Sequence, residues 1–136
     1  MKNKKLLVII LLLVIVAAAA VYFFYFRGKA KTGEKPAETY TYALKDSFVT
    51  NVKDSSKLFK ATVVLVLDKN GMDDYFKSKE YIVRDTILFL FRDLTEDDIT
   101  SQDIQDRLRV SITDALNKAL GINDIVTVYF SDFVMQ

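Results

Sequence analysis

Three hydrophobic patterns follow one another along the chain. The first has no polar interruption. Residues 6–26 hold only Leu, Val, Ile, Ala, Phe and Tyr. As a helix rising about 1.5 Å per residue, they span about 31 Å, close to the ~30 Å hydrocarbon core of a bilayer. A helix satisfies its own backbone hydrogen bonds, so this run predicts a transmembrane helix, with Leu6, Leu13, Val16, Tyr22 and Phe26 along its lipid-facing length. Its aromatic end suits a membrane interface.

The second pattern is alternation. Residues 39–44 place Tyr40 and Tyr42 on one face of a short strand, and residues 48–52 form another candidate. Leu58–Leu67 is the clearest strand. Phe59, Ala61, Val63, Leu65 and Leu67 face one way, and Lys60, Thr62, Val64 and Val66 the other. The second face turns apolar at Val64, so its far half is expected to be covered. A last strand over Ile125–Met135 alternates Val126, Val128 and Phe130 against Thr127, Tyr129 and Ser131.

The third pattern is helical. From 73 to 94, Phe76, Val83, Ile87, Leu90 and Leu94 make a stripe, widened by Leu88 and Phe91. Thr95-Glu96-Asp97-Asp98 opens a second helical stretch. Thr100 with Asp103 predicts the cap of the stronger helix that follows, carried by Ile104, Leu108, Ile112, Ala115, Ala119 and Leu120. Gly121 suits a left-handed stop. The elements predict an α+β domain: a small mixed sheet with two packed helices.

Charge and breakers divide the chain. Residues 1–5 carry Lys2, Lys4 and Lys5; residues 27–38 mix charges with Gly28, Gly33 and the only proline, and read as a linker; residues 39–136 form the domain. Basic residues on both sides of the apolar run leave its orientation open by charge alone, although the very short basic N-terminus favours export of the domain. Ala17–Ala20 also offers a signal-peptidase site, so a span and a cleaved signal remain alternative readings. The domain has twelve Lys/Arg and sixteen Asp/Glu, a net charge of −4, which predicts no nucleic-acid surface.

Candidate chemistry is sparse. The sequence has no His and no Cys, hence none of the usual bases, thiol nucleophiles or zinc ligands. Its four glycines make no phosphate loop. Asp73/Asp74 and Glu96/Asp97/Asp98 read as first-turn helix charges in preference to a metal site or an acid pair. The 68–73 turn resembles a calcium loop only superficially, since position twelve is Lys79. No cofactor, small-molecule substrate or enzymatic activity is expected. The aromatics Phe89, Phe91, Tyr129 and Phe133 are core or contact residues. On a helix Phe89 lies about 200° around from Phe91, so the 87–91 segment is expected to serve two packed surfaces.

The C-terminal stretch Val128-Tyr129-Phe130-Ser131-Asp132-Phe133-Val134-Met135-Gln136 resembles the closing signature of the FliL family of flagellar basal-body-associated proteins, which typically reads Val-Tyr-Phe-Thr-Glu/Asp-Phe-Val-Val/Ile-Gln. Phe48-Val49-Thr50-Asn51-Val52, Leu58–Leu67, Arg84-Asp85-x-x-Leu88 and the segment from Leu108 to Leu120 resemble family elements in the same order. The chain lacks the Gly often found near position 104. The resemblance implies a single-pass bacterial inner-membrane protein at the flagellar basal body, with its C-terminal domain in the periplasm. It further implies a fold similar to the stomatin-type SPFH core, and a homo-oligomeric ring around the stator proteins MotA and MotB that supports torque and motility. Leu88, Phe89, Phe91, Tyr129 and Phe133 are the expected self-association or stator contacts. The alternative is a soluble periplasmic or secreted binding module.

Overall fold

A computed structural model describes residues 2–27 and 37–136 and, in the first of these, the side chains of Lys4 and residues 8–22. The chain divides into two units, residues 1–36 and 37–136. The first contains helix α1 (Lys2–Arg27). Among the described residues no helix is long and apolar enough to cross a membrane. The described side chains of the apolar run, residues 8–22, are all exposed. The ends of that run, with Leu6 and Phe26, lie outside the described side chains, and residues 28–36 of the expected linker lie outside the described residues.

The second unit runs β1 (Tyr40–Ala43), β2 (Phe48–Asn51), β3 (Leu58–Leu67), α2 (Asp73–Ser78), α3 (Glu80–Arg92), α4 (Glu96–Thr100), α5 (Ile104–Leu120) and β4 (Ile125–Met135). It is α+β as expected, but the sheet is antiparallel throughout the described residues, where a mixed sheet was expected. The helices explain the difference. A single crossover helix would deliver the chain to the far end of the sheet for a parallel strand. Here α3 and α5 form a helical hairpin, which brings the chain back to the end it left. Ile125 accordingly enters opposite Leu67, where β3 ended.

The register fixes the layout. β4 pairs with β3 from Phe59 to Leu67, β1 pairs with Val64–Leu67, and β2 pairs with Leu58–Ala61. A strand has only two edges. Since β4 overlaps both of the other registers, β1 and β2 share the opposite edge as one row interrupted at residues 44–47. The ten-residue β3 is therefore the central strand. Phe59, Ala61, Val63 and Leu65 on its inner face are fully buried beneath the helices.

Helical packing departs from the expectation in four places, one of them α5, where Leu116 is fully buried and Ala119, expected in the stripe, is exposed. The 73–94 stretch is two helices, which meet at Lys79, whose backbone lies at φ −110° and ψ 10°. Phe76 on α2 stacks on Tyr42 of β1 (5.2 Å between centroids, 30° between planes), so α2 follows the end of the sheet while α3 crosses it. Phe91, placed at the margin of the stripe by periodicity, lies at its centre, edge-on to Phe48 at 5.6 Å and to Phe59 at 5.2 Å. The capping box belongs to Thr95 and Asp98 at the start of α4; the Asp103 side chain makes no capping bond at α5. Thr100 is the last residue of α4, where its hydroxyl donates back to the Glu96 carbonyl at 2.9 Å. Gly121 does take the left-handed conformation, φ 67°, at the end of α5.

β4 carries two irregularities, at Val126 and at Ser131, where the register with β3 shifts. Each extra residue exchanges the faces of those beyond it. Val126, expected on the same face as Val128, is therefore exposed, while Ile125 and Val128 are buried.

Candidate interaction surfaces

Two surfaces of the second unit gather the exposed apolar residues. The first lies between α3 and α5. Helical geometry turns Phe91 and Ile87 to the sheet, and turns Phe89 the opposite way. Phe89 is 79% exposed and Phe91 is 0% exposed. Phe91 was an expected contact residue, and its full burial removes it from any surface. Leu88 is half-buried and packs against the core. Phe89 forms part of the wall of a groove of about 260 Å³, with Leu90, Leu94, Ile104 and Leu108 its other apolar lining residues and Asp93, Asp98, Arg107 and Ser111 completing it.

Polar contacts hold the α3–α4 elbow, from which Asp98 lines this groove. Thr95 Oγ1 accepts from the Asp98 amide at 3.2 Å, and Asp98 Oδ2 accepts from the Thr95 amide at 3.1 Å and from its hydroxyl at 2.7 Å. These bonds stabilise the Asp98 anion, and with Arg107 at 3.6 Å they draw its carboxyl below the ordinary aspartate range, against a smaller opposing effect of burial. The β2–β3 turn grips the same elbow. Lys53 donates through its backbone to Leu94 O at 2.9 Å and through Nζ to Asp93 at 2.6 Å. Ser55 and Lys57 both reach Glu96, Lys57 at 2.6 Å. The Lys57 and Ser55 bonds hold Glu96 below its usual range. The acids at 96 and 98 thus act in structural contacts, and among the described residues no group of acids is arranged to hold a metal ion.

The second surface is the outer face of the sheet. The pairings set cross-strand rows of Val49, Lys60 and Val134; Ala43, Val64 and Tyr129; and Thr41, Val66 and Thr127. Between the first two, Ser47, Thr62 and Asp132 form a hydrogen-bonded chain, 2.8 Å at each step. Tyr129 is 52% exposed, and Arg109 reaches from α5 to stand 5.1 Å above its ring. Phe133 is half-buried, edge-on to Phe59 and Phe130 at 4.8 and 5.3 Å. Phe133 thus belongs to the margin of the core, and Tyr129 to the open face. At the start of β4 the Asn117 side chain accepts from the Ile125 amide at 3.2 Å and donates to its carbonyl at 2.9 Å, closing that part of the edge.

The structure brings Phe89 and Leu88 to one helix layer and Tyr129 and Phe133 to the last strand. It does not join them into one site. In α1, Leu13, Val16 and Tyr22 have exposed side chains. The sequence marks 54–57 as a turn, but it gave no sign of the Arg109–Tyr129 contact or of the grip that Lys53, Ser55 and Lys57 take on Asp93 and Glu96, because nothing local marks a residue whose partner lies forty residues away or on another element.

These features define a small α+β domain with an antiparallel sheet, helices layered on one face, and exposed apolar residues on both the helix layer and the outer face of the sheet. The family model "Flagellar basal body-associated protein FliL" matches residues 41–136, nearly the whole second unit, and the chain belongs to that family. It is also similar to a protein of Aquifex aeolicus (strain VF5) described as "Flagellar protein FliL". The two are 26% identical over 110 residues, covering 79% of this chain and 68% of that protein. The family gives this chain an association with the flagellar basal body.

Proposed function

We propose that this chain is a non-enzymatic, membrane-anchored component of the flagellar motor. In this reading residues 6–26 cross the bacterial inner membrane once and residues 39–136 lie in the periplasm. There the domain self-associates, as a ring around stator units of the MotA/MotB type, and supports torque and motility. A similarity to the SPFH core belongs to the same reading.

The observation that carries it is the family match over 41–136, which takes in almost every residue of the compact unit. The apolar run supplies the anchor, because its length in the sequence equals a bilayer core. Tethering the domain beside the membrane raises its effective concentration near other membrane components, so contacts too weak in free solution can form. Leu88, Phe89, Tyr129 and Phe133 remain the contact residues of this reading.

Deleting the gene should lower motility most under viscous load, and the chain should co-purify with stator proteins from solubilised membranes. Normal swimming under load, together with absence from purified stators, would overturn the reading. The alternative is release by cleavage near 17–20. A mature mass lacking about 20 N-terminal residues, a length typical of signal peptides, would favour it.

A further inference from the structure

We propose that Asn70 is a site of self-modification. In the folded protein the Gly71 backbone nitrogen attacks the Asn70 side-chain amide, and water then leaves aspartate or isoaspartate in its place.

Asn70 is the one asparagine of the chain that precedes a glycine. The pair sits in the turn between β3 and α2, where residues 68–71 are all exposed and none belongs to a helix or strand. Gly71 N donates to Asn70 Oδ1 at 2.7 Å. Cγ is bonded to that oxygen, so the attacking nitrogen and the carbon it must reach are already neighbours, and such proximity removes much of the cost of bringing two reacting groups together. The same hydrogen bond polarises the carbonyl toward attack. Ring closure meets no obstacle, because Gly71 has no side chain and even a Cβ placed there would touch no atom within 4 Å. The Asn70 amide nitrogen, which must leave, makes no hydrogen bond among the described residues. Asn51 and Asn117 are held differently. The Val52 amide that follows Asn51 donates to Lys57 O at 3.0 Å, and both ends of the Asn117 side chain are bonded to Ile125.

The chemistry needs only water. Gly71 N gives its proton to hydroxide and forms a bond to Asn70 Cγ. The bond from Cγ to the side-chain nitrogen breaks, and that nitrogen takes a proton from water and departs as ammonia. A five-membered succinimide remains. Water adds to one of its two carbonyls and reopens the ring. Opening at Cγ restores the original backbone and gives aspartate; opening at the main-chain carbonyl routes the chain through the side chain and gives isoaspartate. In sum, one amide and one water become one acid and one ammonia, with no change of oxidation state.

The fold confines the result. Asp68 N is held by Asp124 O at 3.1 Å on one side of the turn, and on the other Met72 is buried and its carbonyl accepts from Phe76 N at 3.0 Å. The extra main-chain atom of isoaspartate is absorbed between these two points. Asn70 also lines a cavity of about 310 Å³ together with Tyr40, Lys69 and Asp73. Conversion puts a second carboxylate in that lining, so the cavity becomes more acidic as the molecule ages.

The test uses the full chain, purified in detergent and incubated in mildly alkaline buffer made with heavy-oxygen water, beside a free peptide of residues 66–76. Peptide mapping by mass spectrometry should find residue 70 converted and carrying heavy oxygen, at a rate within about tenfold of the peptide, with Asn51 and Asn117 intact. A methyltransferase specific for isoaspartate should label the product. Gly71→Ala should slow conversion at least tenfold, and Asn70→Gln, which would have to close a six-membered ring, should abolish it. Far-ultraviolet circular dichroism should be unchanged in both variants, since the turn is exposed. Asn70 persisting in the folded chain after the peptide has converted, or reacting only once urea is added, would overturn the site. Aspartate without isoaspartate, or an undiminished rate in Gly71→Ala, would overturn attack by the Gly71 nitrogen.

Discussion

Phe89 and Phe91 sit two residues apart on α3 with opposite surroundings: the first is turned to solvent and the second is closed in by Phe48 and Phe59. The helical twist of about 100° per residue separates them by about 200°, more than half a turn. Truncation should therefore read the two positions differently. Phe91→Ala removes a fully buried ring and should cost about 3–5 kcal/mol. Phe89→Ala should leave stability within about 0.5 kcal/mol, as surface changes generally do. Urea denaturation of the two variants checks this, and a similar loss at both would show that Phe89 is packed.

The capping box gives a second expectation. Thr95→Ala removes the acceptor for the Asp98 amide and the hydroxyl donor to its carboxylate, and should cost about 1 kcal/mol, up to about 2. Thr100→Ala, which loses only back-bonds to the carbonyls of Glu96 and Asp97, should cost less. The reverse order in melting temperature would place the operative cap at the start of α5.

Acid should act through the same residues. Asp98 and Glu96 have carboxyl groups drawn below their ordinary ranges by hydrogen bonds that exist only in the fold. A depressed carboxylate contributes stability that is present above its unfolded pKa and lost as pH falls through the folded value. Stability should hold at neutral pH and decline below about pH 4, the range in which unfolded Asp and Glu titrate. Asp98→Asn should lower stability at pH 7 and flatten that decline. Denaturation midpoints at pH 7 and pH 3 test it, and an unchanged slope would exclude Asp98 as a contributor.

Asn117 offers a test at the sheet edge. Its amide satisfies both backbone groups of Ile125, a residue that is itself buried. Asn117→Ala leaves a donor and an acceptor unpaired and should cost about 1–3 kcal/mol. Hydrogen exchange should quicken first at the Ile125 amide. Protection unchanged there would mean that another group holds the edge.

Gly121 is a backbone case. At φ 67° a Cβ meets no atom within 4 Å, so Gly121→Ala should suffer conformational strain alone, roughly 1–2 kcal/mol. Gly121→Asn should be milder, because Asn tolerates the left-handed region. Thermal melts of the two variants measure the difference.

Periodicity alone determined a great deal here. The alternation from Phe59 to Leu67 named the buried face of β3, the helical stripes found most of the residues that cover it, though not Leu116, and Gly121 marked where α5 stops, because each of these rests on the geometry of one element. The closing residues 128–136 carried the family. Tertiary structure decided what no single element contains. It set the direction of β4, since a helical hairpin returns the chain to the end it left, and it set β4's facing, since the bulges at Val126 and Ser131 arise from pairing with β3. It moved Phe91 from the edge of a stripe to the centre of an aromatic cluster, because its neighbours Phe48 and Phe59 come from other strands. The groove that Phe89 lines likewise exists only where α3 meets α5, because neither helix alone holds both of its walls.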